Sequence, residues 1–203
     1  MDMMVFAHDK GDLAAIAFAG VISAGYGEIP FIPPLESALG AEDMHGLLGC
    51  YFPDVERASL PLPGGRAGGK LGTFRVGEEL DDLIQLLDDH ASVRDKETRW
   101  MARAVAIACM GSRHLWQDMG LPDRNFLSAL LSRYFGPLAE KNTKDMKWKK
   151  FFYRELCARE GLALCKSPNC EACVDYSLCF STADSAGGES SPAAVSEAAK
   201  PSN

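Results

Sequence analysis

The chain has 203 residues, enough for one domain of ordinary size with its own core, and its make-up, 47% hydrophobic and 24% charged, is that of a globular protein. The net charge of −7 argues against general nucleic-acid binding. The longest apolar run, Leu13 to Gly25, is too short to span a bilayer, and Asp2, Asp9 and Asp12 around the single Lys10 deny it the basic leader of a secretion signal. A cytoplasmic protein without a membrane anchor is therefore expected. In that reducing compartment thiols stay unpaired, and seven cysteines, an odd number, do not suit a disulfide framework.

Taken in chain order, the pattern predicts four or five helices and no convincing strand. "DLAAIAFAGVISA" is apolar all round, as a buried helix is. Residues 31–74 are rich in Pro and Gly and read mostly as loop, with room for a short helix near Glu36 to Leu48. "VGEELDDLIQLLDDH" sets Leu80, Leu83, Ile84 and Leu87 on one helical face. In "RDKETRWMARAVAIACM", Trp100, Ala104, Ile107 and Ala108 share a stripe that Gly111 ends. "DRNFLSALLSRYF" offers Phe126, Leu127, Leu130, Leu131 and Tyr134, with Gly136-Pro137 as the stop. "DMKWKKFFYRELCAREG" places Trp148, Phe152 and Leu156 on one face, with Gly161 as its C-cap. From Ser181 onward only Val195 is an apolar side chain larger than alanine, too little to offset the entropy of ordering. The expected architecture is a single mainly α domain over residues 1–180, carrying a C-terminal cysteine loop at 165–179, and a disordered tail over 181–203.

Some local signals fail on context. "GGRAGGKL", Gly64 to Leu71, begins like a phosphate-binding loop, but Leu71 stands where a magnesium-holding hydroxyl belongs and "ASLPLP" precedes it in place of a buried strand. His8, His45 and His90 are scattered and read as surface or capping residues. His114, in "GSRHLWQDMG", follows a helix-ending glycine and could be aimed by a packed Leu115-Trp116 pair, although a satisfied polar residue at a helix junction explains it as well. Cys50 and Cys109 stand alone, and Cys109 reads as a small core residue.

The strongest signal is "CKSPNCEACVDYSLC", in which Cys165, Cys170, Cys173 and Cys179 are spaced C-x4-C-x2-C-x5-C. Four thiolates this close repel one another unless a cation neutralises them, so a metal is expected. Zinc is one candidate, weakened by the presence of a single C-x2-C pair where ribbons carry two. An iron–sulfur cluster is the other, and the spacing matches neither ferredoxin class; a short loop wrapping one cluster fits best. Upstream, Lys141 to Arg154 holds five lysines and one arginine against one aspartate. That is either a solvated helix face or a positive field, through Lys147, Lys149 and Lys150, beside an anionic cargo or partner.

"MKWKKFFYRELC" followed by this cysteine spacing, with "HLWQDMGL" upstream, resembles the NifQ family of nitrogen-fixation proteins, from about Arg99 to Phe180. The resemblance implies a cytoplasmic carrier that supplies molybdenum for the iron–molybdenum cofactor of nitrogenase, and with no nucleophile–base pair or paired carboxylate standing out, no classical enzyme chemistry is expected. It implies an iron–sulfur cluster that can include molybdenum, with Cys165, Cys170, Cys173 and Cys179 as ligands. Molybdate and the nitrogenase cofactor-assembly proteins, scaffold and iron protein, are the implied partners. His114 matches the family's histidine and is a candidate molybdenum ligand; Cys157, at the end of the helix entering the loop, is either a spare ligand or a buried helix-end cysteine. Thiolate and sulfide suit iron and reduced molybdenum, and a lysine-rich flank suits the molybdate dianion. An iron–sulfur electron-transfer or redox-sensing protein and a zinc-stapled interaction module are the alternatives.

Overall fold

The computed structural model describes residues 3–26, 32–55 and 76–159. A short 3-10 turn, Met3–Phe6, leads into α1, Leu13–Gly25. Asp12 starts that helix: its carboxylate accepts the Ala14 backbone N–H at 2.9 Å, satisfying one of the donors that a helix N-terminus leaves open. Ala14, Ala17, Phe18, Val21 and Ile22 are fully buried, and Ala15 and Ala19 are nearly so. The run is thus the all-round buried helix that its composition predicts. Gly20 lets a neighbour come close: a Cβ there would lie 2.0 Å from the Met119 carbonyl oxygen. Gly120, at φ +64°, turns the chain away at the same contact.

α2, Glu36–Tyr51, stands where a short helix near Glu36 to Leu48 is expected within the Pro- and Gly-rich stretch, and runs three residues beyond it. Gly40, at φ 75° and ψ 170°, kinks it, and Gly46 and Gly49 lower its intrinsic propensity. Burial of Met44, Leu47 and Leu48 outweighs those costs, because most helical stability in a folded protein comes from packing one face. α3, Val76–Asp89, buries Leu80, Leu83, Leu86 and Leu87. α4, Lys96–Cys109, is capped by Asp95, whose carboxylate accepts the Thr98 N–H at 2.7 Å. It packs against α1, α2 and α3 and is buried almost throughout, from Met101 to Cys109 apart from Arg103.

Four shorter elements follow: α5, Leu115–Asp118; α6, Arg124–Tyr134; α7, Gly136–Ala139; and α8, Trp148–Arg159. The described residues therefore hold eight α-helices and no strand, against the four or five helices expected. The additions α5 and α7 are single turns, below the length at which periodicity shows. Gly136-Pro137 ends α6 and also opens α7, since proline suits the first turn of a helix. Phe126 was expected on the buried stripe of α6 but is 38% exposed. Leu127, Leu130, Leu131 and Tyr134 form that stripe, and Phe126 falls at its edge.

No helix among the described residues is long and apolar enough to cross a membrane. The glycine-rich run Gly64 to Leu71, the expected cap at Gly161, the four-cysteine loop, the tail and the domain boundary at 180 all lie outside the described residues.

Candidate functional site

α8 is the helix that leads into the cysteine segment, so what fixes α8 matters most. Its N-terminal end is set by aromatic packing. Trp148 stands edge-on to Phe151, ring centroids 5.8 Å apart, and Phe152 is fully buried beside them. The Trp148 indole N–H donates to Ser128 Oγ of α6 at 3.2 Å. Further along, the Tyr153 hydroxyl donates to the Glu79 carboxylate of α3.

Between these contacts lies a buried ionic knot. Asp118 is completely buried. Its Oδ2 accepts from Lys149 Nζ of α8 at 2.5 Å and from the Arg113 backbone N–H at 3.1 Å, while its Oδ1 accepts from Arg113 Nε at 3.0 Å. Lys149 Nζ also donates to the Gly111 carbonyl at 2.7 Å. A buried carboxylate is tolerated when it is paired and its lone pairs are filled, and Asp118 meets both conditions. The knot ties α5, the turn after α4, and α8 into one unit. Sequence reasoning missed it, although Asp118 stands inside the quoted His-Leu-Trp-Gln-Asp block. The signal that could have found it is an aspartate beside Leu115 and Met119, both apolar and both buried.

The candidate residues fall in several places. Lys149 was expected to belong to an exposed positive face with Lys147 and Lys150. Its side chain is only 18% exposed and its charge faces Asp118. Lys147 is exposed and Lys150 half-buried. His114 is the N-cap of α5; the Gln117 carboxamide accepts its backbone N–H at 3.2 Å, and the residue is exposed. Its backbone is thus held while its imidazole is open to solvent. Cys157 is buried on α8, on the same side of the helix as Tyr153. Cys109 is buried near the knot, and burial first of all, with the Asp118 and Glu79 charges, pushes its thiol up to about 12 against the opposing pull of Lys149. Cys50 is exposed and alone. No group of three His, Cys, Asp or Glu side chains among the described residues could hold a metal. Cys165, Cys170, Cys173 and Cys179 lie outside the described residues.

At the far end of α8, Arg159 pairs with Asp89 at 2.9 Å. His90 Nδ1 lies 2.9 Å from the Leu86 carbonyl, and Lys141 Nζ lies 2.8 Å from its Nε2. A proton on Nδ1 serves the Leu86 carbonyl and leaves Nε2 to accept from Lys141, at the expense of the longer approach of Arg159 Nη2 to Nδ1 at 3.4 Å. His90 is therefore a helix-end residue, in line with its expected capping role.

The sequence profile of the NifQ family matches residues 17–181. A protein of Azotobacter vinelandii named Protein NifQ is 48% identical over 142 residues, which cover 64% of this chain and 73% of that protein. One of Rhodobacter capsulatus with the same name is 36% identical over 149 residues, 72% of this chain and 78% of its own length. The Protein NifQ homolog of Sinorhizobium fredii is 33% identical over 181 residues, 85% of this chain and 74% of that one. No solved structure matches the chain.

Proposed function

The chain belongs to the NifQ family, and on that premise we propose that it is an iron–sulfur molybdenum carrier that supplies molybdenum for the iron–molybdenum cofactor of nitrogenase. The family membership supports a role in nitrogen fixation. The observation that carries the finer reading is the extent of the match: it runs to residue 181 and so takes in all four clustered cysteines. Cys109 is protonated and buried, Cys157 is buried on α8, and no rival donor set gathers among the described residues.

In this reading Cys165, Cys170, Cys173 and Cys179 hold the cluster, whose sulfide and thiolate environment supplies soft ligands for reduced molybdenum. The Asp118–Lys149 pair and the Trp148–Phe151–Phe152 packing fix α8, the helix that precedes the cysteine segment in the sequence. His114, held at its backbone and open at its ring, is a candidate second donor to molybdenum. The protein hands on a metal and carries out no classical enzymatic step, and its receivers are the cofactor-assembly proteins.

Metal analysis after anaerobic purification tests the proposal. Iron and sulfide with molybdenum are expected, and Cys170→Ala or Cys173→Ala loses both metals while Cys50→Ala and Cys109→Ala keep them. Iron and sulfide without molybdenum would favour a redox protein, and zinc would favour a stapled interaction module. His114→Ala is expected to keep iron and lose molybdenum; if both metals stay, the histidine is only a cap.

A further inference from the structure

The loop between α7 and α8 frames an open hollow of about 140 Å3, lined in part by Lys141, Asn142, Lys144, Arg154 and Glu155. The loop is a built structure. Arg124, the first residue of α6, forks onto the Asp145 carboxylate at 2.9 and 2.7 Å, and its Nη2 donates to the Asp145 and Met146 carbonyls at 2.9 and 3.0 Å. Asn142 closes the turn from the other side: its Oδ1 accepts the Met146 N–H at 2.8 Å and its Nδ2 donates to the Met146 carbonyl at 3.0 Å. Asp145 sits at φ 48°, a left-handed conformation that these bonds hold in place.

The charges around the hollow do not balance. Glu155, its one carboxylate, lies 3.6 Å from Lys141. Lys144 is exposed and has no partner among the described residues. Among the described residues the guanidinium of Arg154 meets only the Met146 thioether, at 3.7 Å, a weak acceptor. Two cations with their donors open therefore face one hollow of fixed outline.

We propose that this hollow is a binding site for a small tetrahedral oxyanion, with Arg154 and Lys144 as its cations. In so far as the anion is molybdate, the form of the metal dissolved at neutral pH, the proposal rests on the carrier reading above and makes the hollow a place where the anion collects before loading. The planar fork of Arg154 suits two oxygens of such an ion at once, and Lys144 adds a point charge. A single water needs about 10–15 Å3 of such space, so the hollow has room for a four-oxygen ion with part of its water. Being open, it releases its ion readily, as a collecting site must. Sulfate and phosphate share the chemistry and serve as probes of it.

Equilibrium dialysis of the full-length protein against molybdate, sulfate and phosphate, at low salt and at about 0.15 M, tests the site. The expected result is molybdate binding that sulfate displaces and that salt weakens. Each of Lys144→Gln and Arg154→Gln should weaken it about tenfold, since a hydrogen bond to a charged group is lost. Both residues are exposed, so an unchanged circular dichroism spectrum is expected to show that the fold survives. Molybdate affinity unchanged in the double variant would overturn the proposal. Molybdate held by the double variant but lost in Cys170→Ala/Cys173→Ala would overturn it too, while leaving the carrier reading intact. Dialysis binding lost in the double variant, in a protein that carries iron but never molybdenum in its cluster, would support the hollow and overturn the carrier reading.

Discussion

Lys144 and Lys149 come from one basic run, five residues apart, yet they sit in two different electrostatic environments. Lys149 reaches into the molecule, 2.5 Å from a completely buried carboxylate and 2.7 Å from a backbone carbonyl. Lys144 stands on an exposed loop with no partner among the described residues. A charge count over Lys141 to Arg154 treats the two alike. Burial separates them: inside, a lysine is half of a pair whose loss leaves a naked charge, whereas outside it is a hydrated point charge available to an anion. The excess positive charge that a binding role can draw on is therefore smaller than the composition suggests, and it is concentrated at the loop and along the outer side of α8.

Removing Lys149 is the most damaging way to probe that contrast. Lys149→Met should leave Asp118 buried with Arg113 alone and destabilise the fold by about 3 kcal/mol, the usual size for breaking one side of a buried pair. Chemical denaturation of the full chain measures it. A loss below about 1 kcal/mol, the range of exposed pairs, would show that the knot behaves as a surface contact. Lys149 therefore does not belong among substitutions meant to weaken electrostatics with the fold intact.

Gly111 gives the next largest effect. A Cβ at this position would lie 2.4 Å from Asp118 Oδ2, a carboxylate that Lys149 and Arg113 prevent from retreating. Gly111→Ala should cost about 1 to 3 kcal/mol, as overpacking does. In a Lys149→Met background the cost should shrink, because the carboxylate regains freedom and the two changes share one network. Additive losses in the double variant would place the strain somewhere other than the knot.

How far the sequence revealed all this depends on burial and length. α3, α4 and α6 were legible because their apolar positions repeat over several turns, and α1 because its run is apolar throughout; the burial of Ala14 to Gly25 and of Trp100 to Cys109 follows from these patterns. α2 was only half legible: three glycines argued for loop, and the packing of Met44, Leu47 and Leu48 is a tertiary effect that local propensity does not contain. The cysteine spacing and the family resemblance were plain in the sequence. The Asp118–Lys149 pair was not, since its partners are 31 residues apart and nothing local marks either as buried. The hollow was hidden for the same reason, as it needs Arg124, far away in sequence, to shape the loop around Asp145.

A gentler probe of the buried side is alkali. Cys109 is protonated in the fold, with its thiol pushed from 9.0 up to about 12. A raised pKa means that the folded state holds the proton more tightly, so this stability is complete below pH 9 and is lost as pH rises toward 12. Between pH 9 and 10 the wild type should lose about 1 kcal/mol more than Cys109→Ala, the tyrosines contributing equally to both. Tyr51 and Tyr134, both raised by burial and by hydrogen bonds to Glu97, add the same sign of dependence at higher pH. Parallel stability–pH curves for the two proteins across that window would remove Cys109 from the buried set.

The smallest effect belongs to the exposed side. Lys144→Gln and Arg154→Gln touch no buried partner, so each should change stability by no more than about 0.5 kcal/mol, the usual bound for surface substitutions. The contrast with Lys149→Met is then several-fold in energy for residues of the same charge in the same segment. Function should invert that order. Screening reaches exposed charges over about 8 Å at physiological ionic strength, so anion uptake through Lys144 and Arg154 should fall with salt, while the buried pair, shielded from ions, should keep its stabilising effect from low to high salt. Denaturation midpoints of wild type and Lys149→Met, measured at both ionic strengths beside the dialysis series, give the comparison directly. A salt-sensitive gap between those two midpoints would mean that water and ions reach Asp118, and the division between an inner and an outer lysine would collapse.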